Sequence, residues 1–262
     1  MKHDKYTETN RQMWNQTAPV HANSYVDELL RQIGAPDYST FDDVERQLFS
    51  QIGLSGKTVA QLACNNGREL ISVKKAGAGR CVGFDISDDF VDQGRRLSDA
   101  AGVDVEFVRA SVYDISSDFD ASFDLITITV GVLGWMPNMD DFFGVISRLM
   151  VPGGDLFVYE MHPILDMFDA DKGLQIEDSY FRQEPFYTEA EPDYMDPSNT
   201  VDAPSYWFHH KVSDILGACI RSGLQLTHFE EYAHDQSMVY RAFQDLEKKP
   251  PLSYSLIANK TK

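Results

Sequence analysis

The chain has 262 residues and 43% hydrophobic content, enough to bury the core of one large domain or of a core domain with an appended lid. Its 23 Lys plus Arg against 41 Asp plus Glu give a formal net charge of −18, which repels phosphate backbones, argues against a nucleic-acid partner and otherwise reads as support for solubility. Cys64, Cys81 and Cys219 are widely spaced without a C-x-x-C pair, no run approaches the roughly 18 apolar residues of a bilayer span, and the charged start Met1 to Asn10 does not resemble a secretory leader, so a cytoplasmic protein without a membrane partner is expected.

From Tyr6 to Gly34, Trp14, Val20, Tyr25, Leu29, Leu30 and Ile33 recur at roughly helical spacing, with Asn10 or Asn23 placed to start helices. Phe41 to Ile52 is the next predicted helix, and Gly53 to Lys57 the turn after it. Thr58 to Ala63 is a β-branched and apolar run, broken by Cys64-Asn65-Asn66-Gly67 before a helix from about Arg68 to Ala76 that Gly77-Ala78-Gly79 ends. A second apolar run, Cys81 to Phe84, delivers Asp85 at its tip, so the unit is a βαβ hinge with a carboxylate at the end of its second strand.

The loop's chemistry narrows the ligand. A pyrophosphate needs the bare backbone of G-x-G-x-x-G at a helix N-terminus, and here only Gly67 is a glycine. A ligand with a ribose and no phosphate suits the loop better, with Asp85 accepting hydrogen bonds from both ribose hydroxyls. S-adenosylmethionine is such a ligand.

Beyond Asp85, Ser87 is placed to cap a helix from about Asp88 to Ala101, and Val105 to Ala110 is a third strand followed by Ser111-Val112-Tyr113. Phe123 to Val130 is nearly continuously apolar, as a central parallel strand requires, and Gly131 to Asn138, with Trp135, leaves its carboxyl end where open α/β sheets bind ligands. Phe142 to Met150 is helical, Pro152-Gly153-Gly154 a turn and Asp155 to Glu160 a fifth strand. Met161 to Phe208 is too long for an ordinary connection. Its aromatics, among them Phe168, Tyr180, Phe186, Tyr194 and Trp207, and its prolines Pro185, Pro192, Pro197 and Pro204 predict a lid with an irregular strand pair over the strand ends. After His209-His210-Lys211, Ser213 is placed to cap a helix from Asp214 to Ser222, and Leu224 to Tyr232 and Leu252 to Ala258 are the last strands.

These stretches carry a family resemblance. Val59 to Gly67 resembles the first motif of class I S-adenosylmethionine-dependent methyltransferases, an apolar strand followed by G-x-G-x-G, with Ala63 and Asn65 at the first two glycine positions and Gln61 where an acidic residue is frequent. Val82 to Ser87 is similar to the second motif, and Phe123-Asp124, Arg148-Leu149 and Pro152-Gly153-Gly154 to the later signatures. The resemblance runs in order from about Tyr6 to Lys260. It implies an α/β, Rossmann-like three-layer sandwich: a mostly parallel seven-stranded sheet with an antiparallel last strand, plus a lid insertion between strands 5 and 6. One methyltransferase domain, 1–262, would then comprise an N-terminal helical cap at 1–40, a cofactor-binding core at 41–160, the lid at 161–210 and the rest of the core at 211–262.

The implied cofactor is S-adenosyl-L-methionine, with S-adenosyl-L-homocysteine as product, and the implied cofactor-binding residues are Tyr25, Ala63, Asn65, Gly67, Asp85, Ile86, Ser111, Val112 and Val130. Trp14-Asn15-Gln16-Thr17-Ala18 is similar to a segment that folds over the methionine end, where Tyr25 either meets the cofactor carboxylate or packs. Ser111 stands where the family commonly places an acidic residue against the adenine amino group, and is either that contact or an ordinary strand-end turn.

The implied reaction is direct displacement at the sulfonium methyl by a small-molecule acceptor, for which the protein aligns the nucleophile and a base is optional. His162 is the expected catalytic group for a hydroxyl acceptor, and Trp135, His209 and His210 are expected to touch the substrate; for the histidines the other reading is a hydrogen-bonded wall. No metal is expected. The competing functions are a nicotinamide-dependent oxidoreductase and a non-catalytic S-adenosylmethionine-binding protein.

Overall fold

Alternation with a period of two sorts the strand side chains between two cores. In the computed structural model, which describes residues 3–21, 25–193 and 198–261, Leu156 and Val158 of one strand join the core on one face of the sheet while Phe157 and Tyr159 join the core on the other. The sheet is built from β1 (Val59–Leu62), β2 (Cys81–Asp85), β3 (Glu106–Arg109), β4 (Phe123–Ile128) and β5 (Met150–Met161), with the C-terminal pair given below. Helices α1 (Asp4–His21), α2 (Asp27–Gln32), α3 (Asp43–Ile52), α4 (Arg68–Lys75), α5 (Asp88–Ala101) and α6 (Met139–Leu149) alternate with them or precede them.

Between β5 and the next long helix the chain makes the predicted excursion, a 3₁₀ turn at Pro163–Met167 followed by β6 (Phe186–Thr188), β7 (Glu191–Pro192), β8 (Thr200–Val201) and β9 (Ser205–Trp207). There β6 pairs antiparallel with β9, and β7 with β8. The chain then adds α7 (Val212–Arg221), β10 (Leu224–Tyr232), α8 (Arg241–Gln244) and β11 (Ser253–Lys260). The seven-stranded sheet has the order β10-β11-β5-β4-β1-β2-β3, and β11 runs antiparallel to both of its neighbours while the β5-β4-β1-β2-β3 run is parallel throughout. This is the Rossmann-like sheet with its antiparallel last strand that the resemblance implies. Its reversal point lies between β1 and β4, and the carboxyl ends of the parallel strands there open onto one crevice.

Several local expectations change. Asn10 sits inside α1 instead of starting a helix. Its side chain copies a strand backbone, donating Nδ2–H to the Tyr206 carbonyl at 2.9 Å and accepting from the Tyr206 N–H at 2.8 Å, so it straps α1 to β9. Asn23, Tyr194 and Pro197 lie outside the described residues. Helix α6 begins at Met139, not Phe142, because Asn138 Oδ1 accepts the Asp141 N–H at 2.9 Å and caps it there. Ser213 lies inside α7, which starts at Val212; Asp214 closes the first turn by accepting the Lys211 N–H at 3.1 Å. Pro152-Gly153-Gly154 is an irregularity within β5, between the pairings of Met150 with Phe123 and of Asp155 with Leu125. No helix among the described residues is long and apolar enough to cross a membrane.

Candidate active site

The loop after β1 is shaped by three alternating residues in the left-handed region, Ala63 at φ 49°, Asn65 at φ 51° and Gly67 at φ 70°. Those are the three positions at which the first motif ordinarily has glycine, so the conformation survives the loss of two glycines. An alanine held there costs on the order of 1 kcal/mol, tolerated because the flanking strand and helix fix the loop. Gly67 has a second constraint: a Cβ on it would fall 2.3 Å from the Phe107 ring. Gly67 is the residue before α4 and does not line the cavity described below; it serves the site by letting the loop sit on β3.

Asp85 ends β2 and is 7% exposed. Its Oδ2 accepts the Asn65 N–H at 2.7 Å and its Oδ1 the Ser87 N–H at 2.9 Å, tying the tip of β2 to the loop after β1 and leaving lone pairs on both oxygens for a ligand. Burial pushes its pKa up to about 6, against the stabilising backbone hydrogen bonds from Ser87, Asn65 and Ile86. Ser87 also caps α5, as its sequence position suggested, and donates its hydroxyl to Asn15 Oδ1 at 2.7 Å. With Gln93 Nε2–H donating to the Ala18 carbonyl at 2.7 Å, this lays the Trp14 to Ala18 stretch of α1 across the start of α5.

A cavity of about 540 Å³ opens over these strand ends. Of the anticipated cofactor residues, Tyr25, Ala63, Asn65, Asp85, Ile86, Ser111, Val112 and Val130 all line it, as does Trp135. Tyr25 accepts the Asn66 Nδ2–H at 2.9 Å and so braces the loop from the helical side. Ser111 precedes a 3₁₀ turn at Val112–Asp114, so the strand-end turn is present as well as the cavity position. Gln61 is 2% exposed and lines the same cavity; its amide donates to Thr129 Oγ1 at 2.9 Å while its Oε1 has no partner. An orphaned buried acceptor beside Asp85 fits a ligand that carries hydrogen-bond donors, as S-adenosylmethionine does with its ribose hydroxyls and its ammonium group.

The three histidines fall elsewhere. His162 is not on the cavity wall. Its Nδ1 accepts the Ile164 N–H at 3.1 Å, capping the 3₁₀ turn, which leaves Nε2 to donate to Glu231 at 2.9 Å, and burial lowers its pKa. The Pro163 turn swings the ring away from the strand ends, so the expected catalytic position is not the one it takes. His209 and His210 do not line the cavity either. His210 Nε2 donates to the Met136 carbonyl at 2.7 Å beside a crevice of about 30 Å³. His209 stands behind the wall, Nδ1 on Asp166 Oδ2 at 2.9 Å and Nε2 on the Tyr180 carbonyl at 2.8 Å.

Two carboxylates went unnoticed in the sequence. Asp166, in the 3₁₀ turn, lines the cavity and also accepts the Trp207 indole N–H at 3.1 Å. Glu160, 2% exposed at the end of β5, accepts the N–H groups of Gly131, Val132 and Leu133 at 2.7, 2.6 and 3.0 Å and so shapes the loop that carries Trp135. Burial raises its pKa to about 7 despite those bonds. Neither carries a spacing signal, because each acts on a segment distant in sequence. Among the described residues no group of three or more His, Cys, Asp or Glu could hold a metal ion.

Comparison with known proteins supplies the remaining evidence. Residues 59–154 match the family model described as a methyltransferase domain. An uncharacterized protein of Haemophilus influenzae is 23% identical over 238 residues, covering 87% of this chain and 91% of its own. A demethylmenaquinone methyltransferase of Thermus thermophilus is 29% identical over 108 residues, 41% of this chain and 48% of its own, so the chain spans about half of that relative. A solved S-adenosylmethionine-dependent methyltransferase from Mesorhizobium loti superposes with a TM-score of 0.57 at 21% identity over 81% of this chain and 96% of its own, a likeness that speaks for the fold. The strand order of this chain, its left-handed loop and the carboxylate ending β2 are those of the class I S-adenosylmethionine-dependent methyltransferase fold, and the matched stretch makes residues 59–154 a methyltransferase domain.

Proposed function

We propose that the chain methylates a small molecule held between the strand ends and the excursion that follows β5, with residues 161–210 acting as a lid on a single methyltransferase unit. The observation that carries this is the continuity of the cavity: its wall runs from Asp85 and Ser111 at the carboxyl ends of the parallel strands to Trp135, Asp166, Phe186 and Trp207 on the far side. A volume of about 540 Å³ lies within the roughly 300 to 1,000 Å³ of small-ligand sites and leaves space for an acceptor beside the cofactor.

Asp85 would hold the ribose hydroxyls, Gln61 Oε1 a donor at the methionine end, and Ser111 with the Val112 backbone the adenine. Bound there, S-adenosylmethionine supplies a methyl group on a sulfonium leaving group. What the chain itself contributes is alignment and exclusion of water: Glu160 fixes the Trp135 loop, and Asn10 fixes the lid to α1. The Thermus relative's name points to an acceptor of the same broad class, a small organic molecule.

The test is calorimetric titration with S-adenosylhomocysteine of the wild type and Asp85→Ala, followed by methyl transfer to a panel of small acceptors. Micromolar binding lost in the variant, with transfer to a panel member, is the expected result. A folded wild type that does not bind S-adenosylhomocysteine would overturn it.

A further inference from the structure

All three tryptophans of the chain meet on the cavity wall. Trp14 and Trp135 have ring centroids 5.0 Å apart at 71°, and Trp135 and Trp207 5.1 Å apart at 88°. The near-perpendicular steps turn successive rings, so that the set presents both faces and edges to the space it encloses. Gly134 makes the approach of Trp207 possible, since a Cβ there would lie 2.1 Å from the indole. Within this aromatic wall stands one carboxylate, Asp166, fixed by the Trp207 N–H at 3.1 Å and His209 at 2.9 Å. The cation of the described lining residues, Arg68, is paired with its neighbour Glu69, to which its Nε donates at 2.7 Å.

The second face of His209 shows where the ring carries a hydrogen. Its Nε2 is 2.8 Å from the Tyr180 carbonyl, an oxygen that can only accept, so Nε2 carries a hydrogen, and Nδ1 faces a carboxylate. Burial opposes the charge, yet the hydrogen bond to Asp166, its charge and the Tyr180 carbonyl together raise the pKa above the ordinary value. The contact to Asp166 therefore backs that carboxyl with a hydrogen-bonded ring whose protonated form the surroundings favour.

We infer that the acceptor presents a protonatable nitrogen, an amine on an apolar body, received by the faces of Trp14, Trp135 and Trp207 with Asp166 as its hydrogen-bond acceptor. A tryptophan box with a single carboxylate is the environment that favours a cation over a neutral hydroxyl, and it disfavours acceptors bearing phosphate or carboxylate. The inference rests on the methyl-transfer reading. In that step the ammonium first gives a proton to Asp166 or water. The nitrogen lone pair then forms the N–C bond as the methyl–sulfur bond breaks, its electron pair remaining on sulfur, so one proton is released per methylated ammonium formed.

The experiment uses the intrinsic tryptophan fluorescence of the full chain, saturated with S-adenosylhomocysteine at pH 7, titrated in parallel with phenethylamine and 2-phenylethanol. These probes share a body and differ in presenting an ammonium or a hydroxyl. The amine is expected to bind about tenfold more tightly than the alcohol, and Asp166→Asn to remove that preference while the alcohol's affinity and that of S-adenosylhomocysteine stay within a factor of about two. Equal binding of the two probes by the wild type, or an unchanged preference in Asp166→Asn, would overturn the inference, and the wild-type comparison decides even where the variant does not fold. Failure of S-adenosylhomocysteine to bind the wild type would instead defeat the methyl-transfer reading itself.

Discussion

Asp85 shows how one side chain sets opposite demands for the free and the liganded protein. Burial raises its pKa to about 6, so the free site binds a proton more readily than an exposed aspartate. Ribose hydroxyls that donate to it need the ionised form. The affinity for S-adenosylhomocysteine should therefore hold above pH 7 and fall below about pH 6, approaching tenfold per pH unit, measured by calorimetry across pH 5 to 8. An affinity flat over that range would show that Asp85 does not accept from the ligand. Gly134 sets a second residue-scale demand. Gly134→Ala places a methyl group 2.1 Å from the Trp207 ring, so the indole must move. The variant should keep its S-adenosylhomocysteine affinity and lose acceptor-side binding by about tenfold or more. Equal loss of both would mean that the wall and the cofactor pocket are not separable.

At the scale of elements, the central parallel strands β1, β2 and β4 were legible because they bury both faces between helices and so write apolar runs bounded by turn residues. The helix predicted over Asp88 to Ala101 is found with those bounds, since Ser87 and Gly102 mark both its ends in the sequence. Part of the cavity lining was legible for a related reason, Ala63, Asn65, Asp85 and Ile86 lying in the loop and at the strand tip of one βαβ unit. The opposite wall was not. Asp166 and Glu160 serve partners 41 and 28 residues away, at Trp207 and Val132, and nothing local distinguishes them from surface carboxylates. The histidines misled because nearness in sequence to a strand end says little about where a ring points once a Pro163 turn intervenes.

Asn10 was misread in the same way, as a helix start where it is a strap between α1 and β9. Asn10→Leu removes both side-chain bonds to Tyr206 and leaves that half-buried strand edge unpaired, a change of about 1 to 3 kcal/mol. Amide hydrogen exchange at Tyr206 should accelerate in the variant while the β1 and β4 amides keep their protection. Unchanged exchange at Tyr206 would show that β9 is held by its apolar contacts alone.

Over the whole molecule, buried titratable groups of two kinds shape the stability of the free protein against pH. Burial raises Glu45 to about 8, Glu160 to about 7 and Asp85 to about 6. Each of these carboxyls binds protons more strongly folded than unfolded, so each contributes stability below its unfolded value that is lost as pH rises through its folded one. The net charge of −18 adds self-repulsion with the same sign. Burial acts oppositely on His21, paired with Asp193 at 2.9 Å, and on His162 and His210, all lowered from 6.5. Their contribution is complete above that value and disappears as pH falls through their folded values. Descending from pH 8.5, the carboxyls gain protons before these histidines are asked to, so the melting temperature of the free protein should rise until about pH 6.5. It should then level or fall as the buried rings resist protonation. Differential scanning calorimetry at constant ionic strength checks this, and Glu45→Gln should flatten the limb above pH 7 in particular, because Glu45 carries the highest of the three raised values. A melting temperature that climbs steadily from pH 6.5 to 8.5 would mean that these carboxyls are ionised in the fold at little cost, and the solvation assigned to the Glu160 and Asp85 pockets would then have to be redrawn.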